Sequence, residues 1–208
     1  AHFAAAVTPE DAASVFSSLW AYLETGRAGA EVAAAVKVLC YMPLRISNLL
    51  EAKWGDVDLD ACIWRFPRTK NGQAYMLPIC GQVAELLRGL RVRTGSREYV
   101  FASVRSGAGH LTAAACAKVL REAGIPKEKQ TLHGFRAVFS TLCREVGIPG
   151  TVTERALFHT LGQTERAYAR DMMQEPLRQA LAFWADYVDS LRSGGAVPAV
   201  PVELQRRY

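Results

Sequence analysis

Thr131-Leu132-His133-Gly134-Phe135-Arg136-Ala137-Val138-Phe139-Ser140-Thr141-Leu142-Cys143-Arg144 carries an apolar and a polar repeat at the same helical spacing. At about 100° per residue, Phe135, Val138, Phe139, Leu142 and Val146 gather on one side, while His133, Arg136, Ser140 and Arg144 line the other. The pattern predicts a helix that buries the first side and offers a basic one. Further along come His159, Tyr168 and Arg170. Attack on a phosphodiester needs a nucleophile, a cation that grips nonbridging oxygens in a fork, and groups that move protons. Tyrosine, arginine and histidine supply these, so Thr131 to Tyr168 reads as a phosphoryl-transfer region.

Outward from this stretch the chain reads as helices with one small β-rich interruption. Thr8-Pro9 is an N-cap and first helical position, followed by Val15, Phe16, Leu19, Trp20 and Leu23 at helical spacing until Gly26. A second helix is expected from Ala30 to Cys40, ending before Pro43. Arg45 then stands at the mouth of a third short helix with Ile46, Leu49 and Leu50, a place where free amides favour a phosphate. Trp54 to Asp60 breaks the helical period. Two β-rich runs, Cys62 to Phe66 and Ala74 to Ile79, flank Pro67-Arg68-Thr69-Lys70-Asn71-Gly72, where Asn-Gly signals a hairpin turn carrying Lys70.

Val83, Leu86, Leu87 and Leu90 mark a fourth helix, and Tyr99 to Phe101 a short strand before the polar loop from Ser103 to His110. Thr112 caps a helix with Cys116, Val119 and Leu120 inward, Lys118 and Arg121 on polar positions, and an alanine start that is slim enough to enter a groove but also simply favours helix. Glu175-Pro176 opens a last helix with Leu177, Leu181, Trp184, Val188 and Leu191. This stripe suits either the chain's own core or a neighbouring protomer. The expected fold class is mainly α with a small antiparallel β-sheet (α+β), and the tail beyond Ser193 is expected to be loose.

The 208 residues, half of them apolar, suffice for one good core. Lys and Arg number 25 against 20 Asp and Glu, a net charge of +5 that favours a polyanionic partner. The cysteines at 40, 62, 80, 116 and 143 form no Cys-x-x-Cys pair and sit among apolar neighbours, as reduced core residues would. Lys37 interrupts the longest apolar run, from Ala33 to Leu44, so no stretch approaches the about 18 residues of a membrane span. There is no P-loop and no Gly-x-Gly-x-x-Gly, which argues against nucleotide hydrolysis, and no metal site or cofactor is expected.

Taken in order, Arg45, Lys70, His133, Arg136, His159 and Tyr168 resemble the catalytic domain of the tyrosine recombinases, the phage integrase family. The resemblance covers nearly the whole chain. It rests on Leu44-Arg45-Ile46-Ser47-Asn48-Leu49-Leu50, on Lys53-Trp54-Gly55-Asp56-Val57-Asp58-Leu59-Asp60, on Thr69-Lys70-Asn71-Gly72 and on His133-Gly134-Phe135-Arg136. The ending Trp184-Ala185-Asp186-Tyr187 is similar to the branch carried by prophages and integrative elements.

The resemblance implies a tyrosine recombinase catalytic domain, the DNA breaking-rejoining enzyme fold, over residues 1–192, with 193–208 as a tail. It implies Tyr168 as the nucleophile, Arg45 and Arg136 as clamps on nonbridging oxygens, and Lys70 as proton donor to the departing 5′-oxygen. His133 would assist proton transfer at Tyr168, and His159 would hydrogen-bond the phosphate. Tyr187 is the alternative nucleophile, and Arg68, Asn71, Thr112, Lys118 and Arg121 are candidate DNA contacts.

The implied partners are double-stranded DNA at attachment sites, further copies of the chain on that DNA, and accessory DNA-bending factors, in a prokaryotic cytoplasm at the nucleoid. The rival implications are a type IB topoisomerase-like relaxer, which usually carries Lys where His133 stands, and an inactive DNA-binding relative. The chain starts without Met and is expected to be an excised domain that recombines poorly alone.

Two positions depart from the family pattern. The residue three after the first Arg is often acidic and here is Asn48, which can hydrogen-bond Arg45 but cannot offset its charge. The second His usually follows a small residue, whereas His159 follows Phe158, and Leu161-Gly162-Gln163 lies just after it.

Overall fold

The computed structural model describes residues 3–67, 74–159 and 174–205. Lys70, Tyr168, Arg68, Asn71 and Gln163 lie outside the described residues. The elements are α1 (Pro9–Glu24), α2 (Ala30–Tyr41), α3 (Ile46–Leu50), a 3-10 turn (Trp54–Asp56), β1 (Val57–Asp58), β2 (Ile63–Phe66) and β3 (Tyr75–Pro78). They continue with α4 (Gly81–Thr94), α5 (Ala113–Glu122), α6 (Gly134–Glu145), α7 (Gly150–Ala156), α8 (Gln174–Ser193) and α9 (Val202–Gln205).

Helix starts follow local chemistry. The Thr8 hydroxyl accepts the Asp11 N–H at 3.2 Å with Pro9 at the first position, and Thr112 caps α5 by accepting the Ala115 N–H at 3.3 Å. The three strands form an antiparallel meander in the order β1-β2-β3, with Trp64 opposite both Val57 and Leu77 and Phe66 opposite Tyr75. Phe66 and Tyr75 are therefore the last pair described on this side of the sheet. The strand expected at Tyr99–Phe101 is reduced to isolated bridges, Lys53 with Tyr99 and Ala102 with His110, with Val100 and Phe101 in a turn between them.

The core is organised around α8. Its Trp184 packs against Phe139 of α6 at 5.4 Å, Phe16 of α1 at 6.4 Å and Tyr187 at 6.0 Å between ring centres, and its indole N–H donates to the Cys40 carbonyl at 2.9 Å. Removing such a buried indole costs about 3–5 kcal/mol. Leu177, Leu181, Trp184 and Val188 are buried and Leu191 is partly buried, so this stripe packs against the chain's own core. Tyr187, 2% exposed, is likewise a core residue. The segment beyond Ser193, expected to be loose, carries α9, whose Leu204 is fully buried against the body. Four of the five cysteines are buried and all are free thiols.

Candidate functional site

α6 begins in a turn held from two directions. The Thr131 hydroxyl accepts the Gly134 N–H at 3.0 Å, and the N-terminal segment lies across this turn. The Ala4 carbonyl accepts the Thr131 N–H at 3.1 Å, and the Ala6 N–H donates to the Gln130 side chain at 2.8 Å. A Cβ on Gly134 would stand 2.3 Å from the Ala4 carbonyl oxygen, so only glycine admits this approach. The Phe3 ring rests on His133 with centres 4.4 Å apart, and His133 is exposed at the helix start.

Three residues on, Arg136 does not lie on an offered face as the helical repeat suggested. It is 5% exposed and folds inward, its Nη1 donating to the Pro43 carbonyl and its Nη2 to the Leu157 carbonyl at 2.7 Å. One guanidinium thus ties the approach to Arg45 to the approach to His159. Among the described residues two of its five N–H groups are used in this way. Burial, and then the nearby charge of Arg45, pull its pKa down to about 10, with Glu154 opposing. It stays charged at neutral pH.

Arg45 precedes α3 in extended conformation and is half-buried. Its Nη1 is buried with no hydrogen-bond partner among the described residues, and the same is true of the Asn48 Nδ2, so Asn48 does not satisfy that donor. Buried donors are ordinarily paired, which marks this atom as one awaiting an acceptor.

His159 follows α7, a helix that hydropathy reading missed because only Val152, Thr153 and Ala156 of its seven residues are buried. Phe158 takes φ +60, a conformation natural to glycine and strained for phenylalanine. Its ring is held by Phe66 at 4.9 Å and Tyr75 at 4.6 Å, so the hairpin compensates for the backbone. This accounts for the departure from a small residue before His159. The same turn returns the His159 N–H to the Glu154 carbonyl at 3.0 Å, and the His159 Nδ1 faces the Glu154 carboxylate, which also accepts from Arg144.

Arg45, Arg136 and His159 are therefore brought together, with His133 one turn away on α6. The strand pair that holds Phe158 ends at Phe66 and Tyr75, and Lys70 and Tyr168 both lie outside the described residues. Of the candidate DNA contacts, Arg121 lines a mostly apolar groove of about 300 Å³ with Phe3, Ile46 and His133. Lys118 instead pairs with Glu122 at 3.5 Å, whose carboxylate accepts the Tyr22 hydroxyl of α1 at 2.5 Å, and the Thr112 hydroxyl is spent on its cap. Sequence reasoning missed Glu154, Phe3 and Gln130. Each acts across a turn or a long sequence separation that no local repeat reveals.

The sequence profile of the phage integrase family matches residues 12–175. The prophage integrase IntA of Escherichia coli K12 is 30% identical over 156 residues, covering 74% of this chain and 38% of that protein. The integrase of Shigella phage Sf6 is 30% identical over 159 residues, covering 74% and 41%. The chain thus spans about two fifths of these relatives. In three dimensions it is similar to the integrase from mycobacterium phage Brujita, with TM-score 0.66, 18% identity, and 88% of this chain and 58% of that chain covered. The XerH site-specific recombinase bound to difH substrate gives TM-score 0.57 at 18% identity, covering 77% and 49%. At these identities the likeness is one of fold. Among the described residues no helix is long and apolar enough to cross a membrane.

Proposed function

Because the chain belongs to the phage integrase family, we propose that it breaks and rejoins double-stranded DNA at specific sites through a covalent 3′-phosphotyrosine link on Tyr168. The observation that carries this reading is the arginine pair: a buried Arg45 Nη1 without a partner among the described residues, beside the buried guanidinium of Arg136. A phosphate oxygen is the acceptor that such a pair suits.

In the proposed reaction the Tyr168 hydroxyl oxygen bonds to phosphorus as the bond to the 5′-oxygen breaks. His133 assists removal of the phenolic proton, and Lys70 gives a proton to the departing 5′-hydroxyl. Arg45 and Arg136 hold the nonbridging oxygens as charge builds, and His159 hydrogen-bonds the phosphate. Rejoining is the reverse, with a 5′-hydroxyl of the exchanged strand as attacker. The phosphotyrosine conserves the bond energy, so the step requires no nucleotide, and the two guanidiniums supply the charge a metal brings to other phosphoryl transfers.

The catalytic domain is assigned to residues 1–192. Attachment-site DNA is the substrate, and exchange between two duplexes engages several copies of the chain, since each copy carries one nucleophile. Accessory DNA-bending factors complete the assembly at the nucleoid of a prokaryotic cytoplasm.

The test is incubation with nicked duplexes carrying candidate attachment sites. A protein–DNA adduct removed by proteinase is expected, absent from Tyr168→Phe, which still binds DNA because phosphate contacts by Lys and Arg are untouched. An adduct that persists in Tyr168→Phe would refute the assignment, as would loss on chelation with recovery on added magnesium.

A further inference from the structure

We propose that Glu154, on α7, is a positioning residue for His159. The inference deepens the recombinase reading and rests on it only for its activity arm.

Three observations meet at Glu154. Its carboxylate is divided between two side chains: Oε1 accepts from the Arg144 Nη2, and Oε2 faces the His159 Nδ1. Its carbonyl accepts the His159 N–H at 3.0 Å, so His159 is held to this one residue by backbone and ring together. Its charge also reaches Arg136, where it opposes the effects of burial and of Arg45. Asn48, by contrast, leaves its own Nδ2 buried and unpartnered among the described residues.

The geometry fixes which ring nitrogen carries the proton. A carboxylate against Nδ1 keeps a hydrogen there, so Nε2 is the nitrogen left to engage a phosphate. Arg144 holds the other oxygen and also donates through Nε to the Thr153 hydroxyl at 3.3 Å, which stops the carboxylate from swinging away. The turn at Phe158 is what makes the arrangement reachable, since a helix continued through 158 would carry His159 away from residue 154. The bland alternative is that Glu154 only fastens α7 to α6 through Arg144. That role would not depend on His159 and would leave its ring unchanged.

The ring nitrogens of His159 are followed by ¹⁵N NMR, at a pH where the imidazole is neutral, in the whole chain and in Glu154→Ala and Arg144→Ala. Protonation at Nδ1 is expected in the parent and in Arg144→Ala, with a shift towards Nε2 protonation in Glu154→Ala. A parent ring protonated at Nε2, or a ring unchanged by Glu154→Ala, overturns the proposal. Should Glu154→Ala fail to fold, Glu154→Asp, which keeps the charge but withdraws it by one methylene, gives the same readout.

In single-turnover cleavage of a nicked duplex, Glu154→Ala is expected to lose roughly tenfold, the scale typical of a partner that orients a functional histidine. In a His159→Ala background it should lose nothing more. An equal further loss in that background overturns the proposal. If the parent forms no adduct on any duplex, the recombinase reading falls, while the NMR result still decides the role of Glu154.

Discussion

The mouth of α3 and the first turn of α6 each bring an arginine to one place, and they secure it differently. Arg45 stands before a five-residue helix with a buried Nη1 that has no partner among the described residues. Arg136 belongs to a twelve-residue helix and spends two donors on carbonyls 93 and 21 residues away in sequence. Both bring a positive charge, and among the described residues the second also fastens the protein. The difference teaches that two arginines brought to one place need not carry equal structural weight, and substitutions can separate them.

The largest expected effect is on rate. Arg45→Ala and Arg136→Ala should each slow cleavage by roughly 10²–10³, the worth of a preorganised donor at developing charge. Binding should weaken far less, since each is one phosphate contact among many. Hydrogen exchange then separates them: amides around residues 42–45 and 157–159 should lose protection in Arg136→Ala and keep it in Arg45→Ala. Equal protection in both variants would dissolve the distinction.

A smaller effect sharpens the comparison at the second anchor of Arg136. Phe158→Gly relieves a strained φ, worth about 1–3 kcal/mol, but gives up a buried ring worth about 3–5 kcal/mol. The net is a loss of about 2 kcal/mol, or roughly 4–8 °C in Tm for a chain of this size. A higher Tm in calorimetry would mean that the Phe66 and Tyr75 contacts are idle. The smallest effect falls at the start of α6. Gly134→Ala gains helix propensity of about 1 kcal/mol but forces the Ala4 carbonyl off, a net cost of about 1 kcal/mol. Faster exchange of the Ala6 amide should accompany it.

Much of this was legible in the sequence, for identifiable reasons. Thr8-Pro9 and Thr112 declare helix starts because a cap is a local hydrogen bond, and Asn71-Gly72 predicts a hairpin whose paired strands are present. The helical repeat at α6 correctly groups its residues but cannot say which side has protein against it. Arg136 was therefore placed outward, when acceptors distant in sequence draw it in. Residue order made Arg45, Arg136 and His159 candidates, yet Glu154 stayed hidden. Its link to His159 crosses a helix end and depends on Phe158 adopting a conformation that its residue type disfavours.

The pairing of Ala4 and Ala6 with Gln130 and Thr131 has a consequence in time. These contacts join positions more than 120 apart, among the first residues described and the start of α6. During synthesis the early segment has nothing to lie on until Gly134 has left the ribosome, so it waits while α1 and α2 are already able to form. The turn bearing His133 is then closed by residues made long before it. A nascent chain halted short of α6 can hold helices but not this turn, and any reactivity that depends on it appears only late in the chain's own making.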